Sequence, residues 1–297
     1  MAKRLLSKLA ALVPMVATAS VQWAINAFTP TSGYARKGGM AYGPEPRQRL
    51  DVYIPEGARD APVVVFLYGG GWREGHRGGY RFVGQALSAR GYVTVIPDYR
   101  LYPEVRFPAF VEDGAAALAW VHRHIAAYSG NPDRVYLMGH SAGAHIGALL
   151  ALDRRHLAAV GGGPDWISAF VGLAGPYDFL PFRSGFYRVI FEPEAQFPDS
   201  QPINFARAGA PPMLLMHGLR DAVVPARNTR DLAAALAAEG AEVRTVLYPR
   251  QSHVSIVAGL ARPLQRLGPM LDDIVEFLAA QRGTGVSEAA TAVLPAE

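Results

Sequence analysis

Short hydrophobic runs alternate with longer amphipathic segments over most of the chain. The short runs are rich in aliphatic and β-branched residues and are predicted to be strands, at residues 50–54, 63–67, 92–96, 134–138, 167–173, 213–216 and 243–247. Between them, apolar residues recur at helical spacing in 83–89, 111–128, 142–152, 228–239 and 271–280. Most of the strand runs are apolar on both faces. The pattern therefore predicts an α/β fold, with a mostly parallel central sheet covered by helices on both faces.

Three pieces can be distinguished along the sequence: a leader at residues 1–30, a single catalytic domain at 31–282, and a tail at 283–297 that is predicted to be disordered. In the leader, three basic residues precede an apolar run that ends in Ala-Thr-Ala, which is the layout of a secretory signal. This layout favours a periplasmic or secreted protein. Because Pro14 interrupts the run, an amphipathic helix on a cytoplasmic protein is the alternative. The run is too short to predict a stable membrane span.

Residues 176–212 form a long stretch in which the strand and helix patterns weaken. The stretch is rich in aromatic residues, prolines and glycines. Long connections in compact domains are often functional, so one hypothesis is a lid or a pocket wall. The other hypothesis is an excursion that its own aromatic side chains pack together.

Composition narrows the classes of function. The chain has 297 residues, and 29 Lys and Arg against 25 Asp and Glu leave a formal charge of only +4, with no basic block along the sequence. We therefore expect no nucleic-acid partner. Cysteine is absent, which excludes disulfides, thiolate nucleophiles and cysteine-ligated metals.

The most specific motif is Gly139-His140-Ser141-Ala142-Gly143, which matches G-x-S-x-G. It lies between the predicted strand 134–138 and the predicted helix 142–152. A nucleophilic serine in this motif occupies a sharp, strained turn, where bulkier neighbours than glycine would clash with the strand and the helix. The sequence thus predicts Ser141 as a nucleophile at the carboxyl edge of the sheet.

A serine hydroxyl needs a base within hydrogen-bond reach, and the base needs a third group to orient it. In hydrolases with this elbow the acid and then the histidine follow the serine along the chain. Asp221 comes just after the strand 213–216 and His253 after the strand 243–247, so these two are the predicted acid and base. Asp178, which follows the strand 167–173, is the alternative acid.

Three consecutive glycines follow the strand 63–67, in Tyr68-Gly69-Gly70-Gly71-Trp72. Without side chains they let backbone N–H groups approach a substrate oxygen closely. The predicted oxyanion hole consists of the N–H groups of Gly70, Gly71 and Ala142. A phosphate-binding loop is a poor alternative, because G-x-x-x-x-G-K-[ST] is not present.

Together these motifs resemble the esterase and lipase branch of the α/β-hydrolases related to hormone-sensitive lipase, and particularly its bacterial carboxylesterases. The resemblance spans residues 48–282 and is carried by residues 68–72, similar to the family's His-Gly-Gly-Gly-Trp, by 98–101 with 103–104 and 107–109, and by 139–143. It implies the α/β-hydrolase fold, and it places the charged residues Asp98, Arg100 and Glu104 in a structural brace.

The sequence departs from that branch at two positions. Tyr68 replaces the usual histidine, and we expect its side chain to organise the glycine loop without taking part in the chemistry. His140 stands where aspartate is common, which is similar to feruloyl-esterase-like (BD-FAE-like) and formamidase-like relatives.

The predicted function is hydrolysis of a small or aromatic carboxylic ester through an acyl-enzyme, with no cofactor or metal. An arylformamidase or an amide or peptide hydrolase is the nearest rival, since it uses the same triad. A non-catalytic binding protein with this fold is the alternative from another class, and it has no need for the predicted side chains to converge. Trp72, Tyr177 and Phe179 are candidates for the substrate pocket, with core packing as the other possibility. No oligomeric state is predicted.

Overall fold

One eight-stranded sheet organises the part of the chain that the computed structural model describes, residues 24–182 and 184–281. Its strands are β1 (Tyr34–Ala41), β2 (Arg49–Pro55), β3 (Ala61–Leu67), β4 (Val93–Pro97), β5 (Gly130–His140), β6 (Ala169–Leu173), β7 (Met213–Gly218) and β8 (Val243–Tyr248). They lie in the order β1-β2-β4-β3-β5-β6-β7-β8. The pairs β1–β2 and β2–β4 are antiparallel and the other pairs are parallel.

The central strands are buried from end to end. Every residue of β3, β4, β6 and β7 is buried, so both faces of the sheet are covered there. Continuous aliphatic runs form such strands because there is no solvent face to which polar residues would be assigned. The predicted mostly parallel α/β sheet is confirmed.

Strand β1 was not predicted from the sequence. Its residues are mostly exposed, and its pairing with β2 is irregular between Lys37 and Met40, where two glycines intervene. An edge strand that faces water shows no apolar alternation, so hydrophobic periodicity does not detect it. Besides its pairing with β2, it is held by Arg36, which pairs with Asp51 of β2 at 2.7 Å, and by Tyr34, whose ring packs on Tyr53 at 5.6 Å.

Helices connect the strands and cover the sheet. They are α1 (Arg81–Ser88), α2 (Ala109–His124), α3 (Ala142–Leu152), α4 (Arg154–Ala158), α5 (Gly185–Phe191), α6 (Arg227–Ala238), α7 (Ser255–Ala258) and α8 (Met270–Ala280). Shorter 3₁₀ segments lie at Arg77–Tyr80, Ile125–Tyr128, Pro164–Trp166, Glu194–Gln196, Pro198–Ser200, Pro202–Phe205 and Arg262–Leu267. The predicted helices correspond to α1, α2, α3, α6 and α8. The unpredicted α4, α5 and α7 have only one or two turns, too few for a helical period to emerge.

The described part of the predicted leader packs against the domain. Residues 24–27 form a helical turn in which Ile25 is buried. Asn26 Nδ2 donates to the carbonyl oxygen of Gly78 at 2.9 Å, and its Oδ1 accepts the N–H of Phe82 at 3.2 Å. The predicted signal run and the predicted tail lie outside the described residues. Within 24–182 and 184–281, no helix has both the length and the apolar character that a membrane crossing needs.

The topology brings four loops to one edge of the sheet. Strands β3, β5, β7 and β8 belong to the parallel part and all end at the same edge. Because β3 lies beside β5, the glycine loop after β3 is next to the turn that carries Ser141. Asp221 follows β7 and His253 follows β8, so the candidate residues meet at this carboxyl edge.

Candidate active site

Ser141 occupies the turn between β5 and α3 in a backbone conformation that serine rarely adopts. Its φ is 53° and its ψ is −122°, and its N–H donates to the carbonyl oxygen of Leu173 at 2.9 Å. Such a conformation costs about 1–3 kcal/mol and persists only where the surroundings enforce it. The residue is only 9 % exposed, so most of its surface is covered by the protein.

The glycines on either side of this turn allow close backbone contacts. A Cβ at Gly143 would lie 2.1 Å from the carbonyl oxygen of Leu67 at the end of β3, and a Cβ at Gly139 would lie 2.4 Å from the carbonyl oxygen of Gly143. Both neighbours are backbone atoms, which cannot rotate away as a side chain can. The glycines of the motif are therefore required by packing around the serine.

We expect the substitution Gly143→Ala to lower the free energy of unfolding by about 3 kcal/mol or more, because strand β3 must move to admit the methyl group. Gly185→Ala is the matched control. A Cβ at Gly185 meets nothing within 4 Å, and this residue begins α5. The control is expected to be neutral or to stabilise by up to about 1 kcal/mol. Urea unfolding followed by circular dichroism measures both, and equal effects would contradict the packing explanation.

The structure brings Ser141, His253 and Asp221 together. The Ser141 Oγ lies 2.8 Å from His253 Nε2, and His253 Nδ1 lies 2.7 Å from Asp221 Oδ2. An ionised carboxylate only accepts hydrogen bonds, so Nδ1 carries the proton and Nε2 is left to accept the serine hydroxyl. This tautomer is the one that a general base for Ser141 requires.

Asp221 is held as a carboxylate by its surroundings. Burial raises its pKa, but hydrogen bonds from His217 and His253, together with the N–H of Val224, lower the pKa further, so the net pKa is well below its usual value. Its Oδ1 accepts the N–H groups of Val223 and Val224, each at 2.8 Å. The carboxylate is thus ionised and fixed in orientation. Asp178, the alternative acid, lies instead near Asn228, whose Oδ1 accepts the N–H of Asp178 at 2.9 Å.

His140 contacts the loop of the candidate base. Its Nε2 lies 2.8 Å from the carbonyl oxygen of His253, to which it donates. Burial, and then the nearby charge of His253, lower the pKa of His140 to about 3, so the ring is neutral at physiological pH. A neutral ring with Nε2 as donor places no second positive charge beside the base. The contact ties the loop after β8 to the elbow.

The glycine loop, which carries two of the three predicted oxyanion donors, contacts Ser141. A Cβ at Gly69 would lie 2.9 Å from Ser141 Cβ, which places the glycine loop in contact with the serine. Gly71 has a φ of 58° and open space where a Cβ would be. Within the described parts of the chain, no acceptor is recorded for the N–H groups of Gly70, Gly71 and Ala142. Amides without an acceptor, on a loop that contacts the serine and on the residue after it, are suited to receive an oxyanion.

A network of polar side chains holds both ends of the glycine loop. The Tyr68 hydroxyl donates to Asp98 Oδ1 at 2.8 Å and accepts from Arg47 Nη2 at 3.0 Å. Arg47 also donates to the carbonyl oxygen of Gly75 at 2.9 Å, at the far end of the loop. Asp98 therefore has the bracing role that the resemblance implies. Burial, and then the charge of Asp98, raise the pKa of Tyr68, so its hydroxyl stays protonated.

Aromatic side chains from 176–212 pack against Trp72, the residue after the glycine triplet. The rings of Trp72 and Phe179 are stacked at 5.9 Å, and Phe191 of α5 meets Trp72 edge-on at 4.9 Å. Phe182 in turn packs on Phe197 at 4.7 Å, within the same segment. The segment is thus self-packed and also joined to Trp72 at the end of the glycine loop, and its aromatic side chains form an aromatic wall beside that loop.

The third pocket candidate lies elsewhere. Tyr177 is fully buried, and its hydroxyl would lie 2.0 Å from a Cβ at Gly172 of β6. The ring therefore fills the space over a strand glycine in the core. For Tyr177 this is the core packing that was the alternative to a place in the substrate pocket.

A protein-family model described as BD-FAE matches residues 50–236, which is more than half of the chain. The chain belongs to the BD-FAE family. This family assignment agrees with the likeness to feruloyl-esterase-like relatives noted from the sequence, and with the α/β-hydrolase fold.

Relatives of this BD-FAE chain include named esterases. Isoprenylcysteine alpha-carbonyl methylesterase ICME of Arabidopsis thaliana is 32 % identical over 274 aligned residues, covering 84 % of this chain and 63 % of the relative. Esterase LipC of Mycobacterium tuberculosis is 34 % identical over 227 residues, covering 69 % and 56 %. The chain thus spans only about three fifths of the length of these relatives. Esterase B of Lactobacillus rhamnosis shares the fold, with a TM-score of 0.78 at 21 % identity over 93 % of this chain and 96 % of the other.

Sequence reasoning missed one buried partner of the candidate acid in this BD-FAE chain. His217 closes β7, and its Nε2 lies 3.2 Å from Asp221 Oδ2 and 2.9 Å from the carbonyl oxygen of Val224. Its Nδ1 lies 2.8 Å from Thr229 Oγ1 of α6. The spacing of four residues between His217 and Asp221 after a strand was the available signal.

In the described ranges, no group of three or more histidines and acids is arranged to hold a metal ion.

His145, one turn beyond Ser141 in α3, is buried in the same wall. Its Nδ1 accepts from Trp72 Nε1 at 3.3 Å, and its Nε2 donates to the carbonyl oxygen of Ser200 at 2.7 Å. Both nitrogens are therefore used by the neutral ring. Burial lowers the pKa of His145 to about 4.

This shift predicts a loss of stability in mild acid. Between about pH 6.5 and pH 4 the unfolded chain binds a proton at His145 and the folded protein does not, so stability falls as pH falls through this range, by about 3 kcal/mol for this group. We expect the melting temperature of the variant His145→Gln to decline less steeply than that of the wild type from pH 6.5 to 4. Parallel curves, measured by calorimetry with pH 8 as reference, would count against this assignment.

Proposed function

We propose that the protein is a serine hydrolase that cleaves a small or aromatic carboxylic ester through an acyl-enzyme. The observation that carries the proposal is the continuous chain of hydrogen bonds from Ser141 Oγ through His253 to Asp221, at 2.8 Å and 2.7 Å. Ser141, at one end of this chain, contacts a glycine loop whose backbone N–H groups are available to bind an oxyanion. A binding protein with this fold has no need for these groups to meet.

In the first half of the reaction Ser141 Oγ attacks the ester carbonyl carbon and its proton passes to His253 Nε2. The carbonyl oxygen becomes an oxyanion, which accepts the N–H groups of Gly70, Gly71 and Ala142. The ionised Asp221 stabilises the imidazolium through Nδ1–H. When the intermediate collapses, the alcohol leaves with the proton from His253, and the acyl group remains on Ser141.

In the second half a water molecule attacks the acyl-enzyme. His253 takes a proton from the water, the oxyanion forms again in the same hole, and collapse returns the proton to Ser141 Oγ. The products are a carboxylic acid and the free enzyme. These steps use only protein groups and water.

The aromatic wall supports the choice of substrate class. Trp72 and Phe179 are stacked beside the glycine loop, and Phe191 closes the wall behind them. Such a surface favours apolar or aromatic acyl and alcohol groups of limited size. The esterases ICME and LipC among the relatives support ester bonds over amides as the first substrates to test.

The test is hydrolysis of p-nitrophenyl esters from acetyl to palmitoyl by the purified protein. We expect the highest kcat/KM with short acyl chains and a fall towards the long ones, since the wall limits the space beside Ser141. If no ester is turned over, aryl formamides and then amides are tested with the same protein. Failure on all three classes would leave the non-catalytic binding hypothesis.

A further inference from the structure

Most of the exposed large hydrophobic side chains lie on the loops that carry the candidate acid and base and at the end of the 3₁₀ segment Arg262–Leu267. In the described part of the chain five such side chains are exposed, and four of them lie here: Leu219, Val223, Val254 and Leu267, at 45, 65, 41 and 43 % exposure. Val223 and Val254 stand two residues after Asp221 and one residue after His253. A contiguous group of exposed aliphatic side chains on a folded domain marks an interaction surface.

The two loops lie side by side because Gln251 joins them. Its carbonyl oxygen accepts the N–H of Arg220 at 3.0 Å, and its Nε2 donates to the carbonyl oxygen of Leu267 at 2.6 Å. A Cβ at Gly218 would lie 2.2 Å from the same Gln251 carbonyl, so glycine permits this close approach. Gln251 therefore joins the chain segments that carry three arginines, Arg220, Arg250 and Arg266.

The charge of this region differs from that of the rest of the chain. Residues 217–230 and 248–269 hold six arginines, one aspartate and no lysine or glutamate, a formal charge of +5, whereas the whole chain has +4. The single acid is Asp221, which is engaged with histidines. Arg220, Arg250 and Arg266 are exposed and form no ion pair with a described residue. Asp273 also contacts this region, since its Oδ2 accepts the Tyr248 hydroxyl at 2.5 Å, but it pairs with none of the three arginines.

We propose that this apolar-basic face, formed by the four hydrophobic residues and these three arginines, binds the surface of an anionic lipid bilayer. Aliphatic side chains enter the boundary between head groups and acyl chains, while guanidinium groups at their rim bind lipid phosphates. Because Arg220, Arg250 and Arg266 have no ion-pair partner among the described residues, they are free to attract negatively charged lipids. Bound in this way, the opening beside His253 faces the bilayer, and apolar esters dissolved in the lipid reach the site directly.

The experiment is co-sedimentation of the full chain with vesicles of phosphatidylcholine alone or with 30 mol % phosphatidylglycerol, in 0.1 M NaCl. The test variant is the triple charge reversal Arg220→Glu, Arg250→Glu and Arg266→Glu. The matched control reverses Arg59, Arg123 and Arg154, which are exposed and lie towards the amino edge of the sheet. Both variants change the net charge equally, and melting temperatures establish that each is folded.

We expect the wild type and the control to bind the anionic vesicles at least about tenfold more tightly than the test variant, and binding to weaken as salt rises. Equal binding by the test variant and the control would overturn the proposal. No binding of the wild type would also overturn it and would leave an acidic protein as the occupant of the face. Vesicle binding is measured without turnover, so its outcome is independent of the proposed ester hydrolysis.

Discussion

Replacing Ser141 by alanine is expected to lower kcat/KM for a p-nitrophenyl ester by about ten-thousand-fold or more. The substitution removes the oxygen that forms the acyl-enzyme, and His253 is left without the hydroxyl that lies 2.8 Å from its Nε2. Any residual rate would come from the oxyanion donors and from binding alone. The rates are measured with both proteins at the same pH, and a fluorophosphonate label followed by mass spectrometry tests whether Ser141 is the residue that reacts.

Ser88→Ala is the control for this experiment. Ser88 is also buried, and its Oγ has no hydrogen-bond partner among the described residues, so its loss removes a hydroxyl of equal size without touching the site. We expect its kcat/KM to stay within about twofold of the wild type. An Ser141→Ala protein that keeps more than about a tenth of the wild-type rate would refute the acyl-enzyme at this serine.

The variant Asp221→Asn is expected to lower kcat by about a thousandfold to ten-thousandfold, with little change in folding. Its amide can donate to His253 Nδ1, which favours the tautomer whose Nε2 carries the proton, and that nitrogen then cannot accept the proton of Ser141. The 2.7 Å contact between Asp221 Oδ2 and Nδ1 is what makes the carboxylate decisive. Initial rates at saturating ester measure the loss.

Asp178→Asn is the matched control, since the sequence offered Asp178 as the alternative acid. Its N–H is bound by Asn228, and none of the described hydrogen bonds joins its carboxylate to His253. We expect its kcat to stay within about threefold of the wild type. A larger loss in Asp178→Asn than in Asp221→Asn would transfer the role of the acid to the loop after β6.

The predicted strands and long helices correspond to those of the structure to within a few residues at their ends. Buried parallel strands such as β3 and β4 are continuous aliphatic runs, so their sequence alone reveals them. The hydrophobic pattern does not predict the exposed edge strand β1 or the one-turn helix α7, because neither buries a long periodic face. For the segment 176–212 the sequence favours neither of two hypotheses, and the structure shows that its aromatic side chains pack on Trp72 and on one another.

Chain order and local motifs were sufficient to nominate Ser141, Asp221 and His253, because each follows a recognisable strand. Local sequence also carries the reason for the glycines of the elbow, since a sharp turn between a strand and a helix has the same steric requirements wherever it occurs.

The tertiary structure decided what depends on distance between remote segments. The bond from His140 to the carbonyl of His253 joins residues that no local pattern relates. His217 and Asp221, and likewise Gly172 and Tyr177, are close in sequence, but only the folded turns after β7 and β6 decide that their side chains and backbone meet. The arginines of the apolar-basic face likewise form no basic block along the chain, and the segments that carry them are joined only through Gln251. Local sequence reports which groups the chain has and which element each follows, whereas contacts between distant segments arise only when the sheet aligns the ends of its strands.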